Sequence, residues 1–232
     1  MAEHFFTFGE INSQDFGVWI SGSGTYNAPA KDVTVMDIPG RNGTIMFDNG
    51  RWQNITLTYP AFISRHFQPR IDDFRAAMAS QVGYQRLEDT YHPDEFRLAV
   101  FKGGLSVSPT TRNLAGNFDV TFDCKPQRFL KLGEVVETWP QHSTIYNPTR
   151  FDALPLIRVY GIGNFTLNGV TMNVSYNTGQ WLTIDCDTQN AYRGTTNCNS
   201  LITYDFPVLS PGANTLTHNF HTFEMIPRFW TL

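Results

Sequence analysis

Charge is scarce in this chain of 232 residues: Asp, Glu, Lys and Arg make up 16%, against about 25% in an average soluble domain. Its 17 basic and 21 acidic side chains leave a formal charge of −4. No basic run is interleaved with aromatics, which argues against sequence-specific nucleic-acid binding. No apolar stretch approaches the roughly 20 residues that a bilayer-spanning helix needs, so membrane insertion is not expected. Cysteine is limited to Cys124, Cys186 and Cys198; an odd number without a Cys-x-x-Cys pair does not make a disulfide framework. Catalytic signatures are missing as well: there is no Gly-x-Ser-x-Gly elbow, no Walker loop and no Gly-x-Gly-x-x-Gly after a strand. The start, Met1-Ala2-Glu3-His4, places an acid where a secretory leader needs a basic region, so synthesis in the cytosol is expected.

Apolar and aromatic residues are plentiful instead, at 41% hydrophobic with 19 Phe. A large filled core would absorb them. Subunit interfaces would absorb them too, and a surface with few charges does little to keep other chains away. The Phe count favours at least some interface use.

Alternation governs the pattern. From Gly116, the residues Phe118, Val120, Phe122 and Cys124 share one face and Asp119, Thr121, Asp123 and Lys125 the other, the period of a half-buried strand. This strand is expected to stop at Pro126 and to close a first domain, residues 1–134. Upstream, Asn49-Gly50 predicts a hairpin turn between two strand-like runs, with Ile55, Leu57 and Tyr59 marking one face of the returning strand. A second turn cluster, Pro39-Gly40-Arg41-Asn42-Gly43, lies just before it. One helix is expected over 69–81, where Ile71, Phe74 and Met78 fall at helical spacing, Asp72 and Asp73 complement the dipole in the first turn, and Gly83 ends it. Phe96, Leu98 and Val100 then alternate as a strand.

Residues 135–149 carry Pro140, Pro148 and no periodicity, and are expected to form a linker. Beyond it, 150–232 reads as strands and turns. Asn168-Gly169 joins Phe165 and Leu167 to Val170, Met172 and Val174 in a hairpin, and further strands are expected over 181–186, 201–206 and 220–225. Many short strands at regular spacing predict a sandwich.

Candidate chemistry is thin. His218 and His221 stand three apart, which in a strand points the rings to opposite faces and defeats joint metal ligation. The carboxylates of Glu88, Asp89, Asp94 and Glu95 suit a paired-carboxylate hydrolase, but also suit an exposed loop. The aromatics Tyr160, Phe165, Tyr176, Trp181, Tyr192 and Tyr204 could stack on sugar rings, although the commoner reason for a Trp such as Trp181 in a small sandwich is the core. No catalytic residue, cofactor or metal site is expected.

Motifs spread over nearly the whole chain give a further reading. Ile38-Pro39-Gly40-Arg41-Asn42-Gly43 with Asp48-Asn49-Gly50, then Arg86-Leu87-Glu88-Asp89-Thr90-Tyr91 with Pro93-Asp94 and Phe96-Arg97, then Phe122-x-Cys124-x-Pro126-Gln127-Arg128-Phe129-Leu130, follow one another in the first part. Asn147-Pro148-Thr149, Ala153-Leu154-Pro155-Leu156-Ile157, Gly161-x-Gly163, Pro207-x-Leu209-x-Pro211-Gly212-x-Asn214 and Pro227-Arg228-Phe229-Trp230 follow in the second. Their order and spacing resemble the distal tail proteins (Dit) of long-tailed bacteriophages.

The resemblance implies a mainly β protein: an N-terminal split β-barrel or sheet domain with one packed helix, and a C-terminal galectin-like β-sandwich. It implies a structural, non-enzymatic homo-hexamer at the virion tail tip, assembled in the host cytoplasm. N-terminal domains would form a ring around a channel for DNA. The tail-tube protein would lie on one side and the tail-associated lysin or tip protein on the other, with receptor-binding or baseplate proteins at the periphery. The hairpin region from Pro39 to Tyr59 is the expected subunit contact, with Arg41, Asn42, Asn49, Arg51 and Trp52 as candidates. A carbohydrate-binding module for host attachment is the alternative reading.

Overall fold

The computed structural model describes residues 4–22, 24, 27–110, 114–175, 179–203 and 205–232. The chain divides into two compact units, Met1–Arg128 with Leu232, and Phe129–Thr231. Ten strands and one helix occur up to residue 130: β1 (Phe6–Phe8), β2 (Ile11–Asn12), β3 (Trp19–Ile20), β4 (Lys31–Asp37), β5 (Thr44–Trp52), β6 (Ile55–Ile63), α1 (Phe67–Ser80), β7 (Gln85–Asp89), β8 (Glu95–Phe101), β9 (Val107–Thr110) and β10 (Ala115–Leu130). Eleven follow: β11 (Glu137–Thr138), β12 (His142–Asn147), β13 (Leu156–Tyr160), β14 (Gly163–Leu167), β15 (Val170–Val174), β16 (Trp181–Asp185), β17 (Asn190–Arg193), β18 (Thr196–Asn197), β19 (Gly212–His218), β20 (Thr222–Ile226) and β21 (Trp230–Thr231).

The main sheet of the first unit runs β2-β1-β7-β8-β10-β6-β3. Its centre is the antiparallel pair β6 and β10, with Tyr59 opposite Val120 and Leu57 opposite Phe122. The alternation seen in sequence holds: Ile55, Leu57 and Tyr59 are buried with Phe118, Val120, Phe122 and Cys124. Phe122 lies 5.4 Å from Phe6 in an edge-to-face contact, 5.0 Å from Phe8 and 6.0 Å from Tyr59. Such pairs add to the area they bury. Helix α1 lays Phe67, Ile71, Phe74 and Met78 on this core, a single stripe at intervals of four, three and four residues. A close approach fixes its start: a Cβ at Gly116 would sit 2.3 Å from the ring of Phe67.

Most of the phenylalanines are therefore spent inside, which leaves few for an interface. Among the described residues Phe47 is the one that is exposed.

The second unit is a sandwich. One sheet runs β11-β20-β13-β16-β17-β18 and the other β12-β19-β14-β15. Ile157, Val159, Leu182, Ile184, Phe223 and Met225 of the first pack against Phe165, Leu167, Met172, Val174 and Leu216 of the second. The Asn168-Gly169 turn is as predicted, with φ of 50° and 83°, the left-handed pair that a two-residue hairpin requires.

Other expectations give way. Asn49-Gly50 is not a turn: β5 runs through it, and the hairpin closes at residues 38–43. Gly50 keeps its positive φ of 71°, but uses it in a bulge where pairing shifts from Lys31 opposite Trp52 to Val33 opposite Asp48. An Asn-Gly pair signals left-handed backbone, which bulges need as well as turns. Strand β10 continues past Pro126; its pairing with β6 ends at Cys124, so the missing N–H falls where that partner has stopped. Helix α1 begins at Phe67, which puts Asp72 and Asp73 in its second turn. In β8 the core is reached by Ala99, the opposite parity to Leu98 and Val100.

The stretch 135–149, expected to be a linker, holds two strands: Glu137 pairs with Met225 of β20, and Ile145 with Asn214 of β19. Over 201–206 the described residues form no strand; a 3-10 turn at Asn199–Leu201 is followed by a lone bridge from Ile202 to Val174.

Candidate functional site

Strands β4 and β5 form a two-stranded sheet of their own, separate from the main sheet. Cross-strand pairs set Val35 against Met46, Met36 against Ile45 and Thr34 against Phe47. Successive residues alternate sides, so Val35 and Met46 emerge on one face of this arm and Met36, Ile45 and Phe47 on the other. All five are exposed, Met46 at 65% and Phe47 at 52%. A lone hairpin is marginal in water even when one face is covered. This one is apolar on both faces.

Polar contacts brace its base. Lys31 Nζ donates to Asp48 Oδ2 at 2.9 Å, Arg51 Nε to Asp32 Oδ2 at 2.5 Å, and the Gly50 N–H to Asp48 Oδ1 at 2.9 Å. The bond from Arg51 holds the Asp32 carboxyl below its usual pKa, and that from Lys31 does the same for Asp48. The ammonium of Lys31 also lies 5.5 Å from the Trp52 ring centre.

The sequence-based candidates fall into two groups on this arm. Arg41 and Asn42 are exposed in the turn at its tip. Asn49 donates to Thr34 Oγ1 at 3.2 Å, and with Arg51 and Trp52 it shapes the bulge. The residues that reading missed are the apolar ones. Their signal was present: Ile45-Met46-Phe47 is a continuous apolar run in a strand, which alternation with a single buried face cannot account for.

A second feature of the same unit is an open sheet edge. β6 pairs with β10 along its whole length, but on its other edge β3 covers only Ala61 and Phe62, with Ser21 N–H donating to Pro60 at 2.8 Å. Among the described residues no strand pairs with residues 55–59 on that edge. By alternation from Pro60, the N–H and C=O groups of Thr56 and Thr58 point outward there. Such an edge is a template for another strand.

Other candidates from the sequence have local duties. Glu88 is bonded by Arg86, Glu95 by Arg128 at 3.1 Å, and Asp89 accepts the Tyr59 hydroxyl at 2.6 Å and the Tyr91 and His92 N–H groups at 2.8 Å. Burial, with the Asp89 carboxylate second, raises the Tyr59 phenol well above its usual pKa. His218 is buried, stacks on Phe223 at 4.9 Å and meets the Trp139 carbonyl at 3.0 Å, while His221 is exposed. Among the described residues no group of three or more His, Cys, Asp or Glu is placed to hold a metal. Burial pushes the Cys124 and Cys186 thiols up to about 12, so both are protonated packing residues.

Of the aromatic set, Phe165 is core, Tyr160, Trp181 and Tyr192 are half-buried, and Tyr176 and Tyr204 lie outside the described residues. Trp181 is not in the core as expected. Leu182 and Ile184 take the inner face of β16, which turns Trp181 outward.

The first unit thus combines a separate hairpin arm with a sheet that has one open edge, and the second is a sandwich. No protein-family model and no curated sequence matches the chain. In solved structures it is similar to the SPP1 Dit protein, titled a paradigm of the hub adsorption apparatus in phages that infect Gram-positive bacteria. That likeness has 13% identity, covers 100% of both chains and has a TM-score of 0.77. A chain of the phage P2 baseplate in its activated conformation with Ca is similar at 10% identity over 97% of each chain, with a TM-score of 0.51. The chain has the fold of a phage distal tail protein.

Proposed function

We propose that this chain is a structural distal tail protein of a long-tailed phage or prophage. Six copies form a ring that joins the tail tube to the tail tip and leaves a channel for DNA. The observation that carries this reading is the fold shared with SPP1 Dit over the whole of both chains. The arm supplies a physical means of closure. An apolar hairpin that its own unit leaves uncovered is stabilised when laid against a neighbour, and the open edge of β6 supplies unpaired backbone groups to receive a strand. Arm to edge is a head-to-tail contact, and head-to-tail contacts close into rings when the rotation between copies permits.

In this role the Met1–Arg128 unit builds the belt, and Arg41 and Asn42 at the arm tip meet the neighbouring copy. The tail-tube protein, the lysin or tip protein, and receptor-binding or baseplate proteins are the proposed partners, and the virion tail tip the proposed location. A net charge of −4 per copy suits a conduit that should not grip the phosphate backbone. Electron microscopy of the protein purified with its tail-tube neighbour is the test. Closed rings of six are expected; lone copies on an otherwise intact tube, or rings built by the second unit alone, would refute the reading.

A further inference from the structure

We propose that the outward face of the six-stranded sheet in the second unit carries a saccharide-binding groove, an activity separate from ring formation. Strand register builds it. Glu224 of β20 stands opposite Arg158 of β13, and Arg158 opposite Thr183 of β16; one step along, Tyr160 stands opposite Trp181. These residues alternate with Val159, Leu182 and Phe223, which fill the sandwich core, so all five project from the other face. The result is a polar row beside an aromatic row. Together with Gln180 and Arg193 they line a groove of about 550 Å³, within the range of roughly 300–1,000 Å³ usual for small-ligand sites.

The groups in it are unspent. Arg158, Thr183 and Glu224 make no side-chain hydrogen bond or ion pair among the described residues, although Arg158 and Glu224 are direct cross-strand neighbours of opposite charge. Arg193 is the exception, donating to Gln180 Oε1 at 2.8 Å. Among the described residues the Trp181 indole N–H likewise has no hydrogen-bond partner, whereas that of Trp230 in the same unit donates to the Asp152 carbonyl at 2.9 Å. Tyr160 meets the Trp181 ring edge-on, 5.7 Å between centres at 70°, and the indole remains partly exposed.

This chemistry selects for sugar. A pyranose offers C–H groups from one face and hydroxyls, each both donor and acceptor, around its rim. An indole face meets the first by apolar contact. A guanidinium, donor only, beside a carboxylate, acceptor only, meets adjacent hydroxyls of the second. A nucleic acid would require a track of cations, but the groove pairs two Arg with one Glu. A lipid or apolar peptide would desolvate Arg158 and Glu224 and offer their remaining donors and acceptors no partner, which is unfavourable.

The test uses the free, full-length protein and needs no ring. Saturation-transfer NMR and Trp emission would be followed against glucose, galactose, N-acetylglucosamine and their disaccharides. Transfer to the ring protons of at least one sugar is expected, lost in Trp181→Ala and weakened by at least about tenfold in Glu224→Gln, the size of a lost charge-assisted hydrogen bond. Trp181→Ala should lower the melting temperature by much less than loss of a core aromatic and leave the protein folded, since the indole is half-buried and outside the core cluster. Should that variant fail to fold, Glu224→Gln decides alone, and undiminished binding in it overturns the proposal. Absence of transfer from every sugar, or binding that survives loss of Trp181 in a folded protein, overturns it equally.

Discussion

Replacing Met46 and Phe47 together by Asp tests whether the arm is an assembly contact. Full burial of a Met or Phe side chain is worth about 1.5–3 kcal/mol. With Met46 65% and Phe47 52% exposed in the single chain, and on opposite faces of the arm, roughly half or more of that remains to be gained when a neighbour encloses both faces, so about 2–4 kcal/mol per contact for the pair. Two carboxylates in the covered contact add a desolvation cost of the same sign. At 1.4 kcal/mol per tenfold, each contact should weaken by about a hundredfold or more. A ring needs every contact at once and should fail to close. The isolated chain should scarcely notice, because both side chains already face water; its melting point should move by no more than about 2 °C. Mass photometry and electron microscopy with the tail-tube protein read the first effect, circular dichroism the second. Rings at wild-type yield would refute the contact, and a melting point lowered by several degrees would show that the arm packs on its own unit.

Two further perturbations probe the scaffold. Gly169→Val places a β-branched residue at φ 83° and should cost the second unit about 1–2 kcal/mol, whereas Gly50→Val strains only the exposed arm and should leave melting unchanged while impairing ring closure; equal melting losses at both sites would contradict the arm's independence from the rest of its unit. Burial opposes ionisation of Asp185, but bonds from Arg228 at 2.6 and 3.4 Å and from the Asp187 N–H at 3.1 Å outweigh it and hold the carboxyl below its usual pKa. A carboxyl depressed in the folded state contributes stability above its unfolded pKa of about 3.9 and loses it as pH falls through the folded value. Melting of the second unit should therefore drop on acidification below about pH 4, and Asp185→Asn should melt lower at neutral pH with a flatter acid limb. An unchanged pH profile in that variant would rule the pair out.

The sequence by itself determined the elements whose side chains sort cleanly between core and water. Strands β6 and β10, with Leu57, Tyr59, Val120 and Phe122 inward, the stripe of Ile71, Phe74 and Met78 on α1, and the Asn168-Gly169 turn are local facts, because a period of two or 3.6 and a left-handed glycine need no knowledge of the partner. The two-layer sandwich of the second unit follows from several such strands in succession.

Tertiary structure alone decided what each strand meets. Asn49-Gly50 became a bulge because the preceding turn cluster had already closed the hairpin. The core took Ala99 in place of Leu98 and Val100, because the neighbouring strands β7 and β10 fix the register of β8. Trp181 faced outward because Leu182 and Ile184 filled the sandwich. The arm is the clearest case: in sequence Ile45-Met46-Phe47 reads as material for a core, and only the fold shows that no layer of its own unit covers it. Hydrophobicity tells a chain what to bury, but which surface does the burying is a property of packed elements.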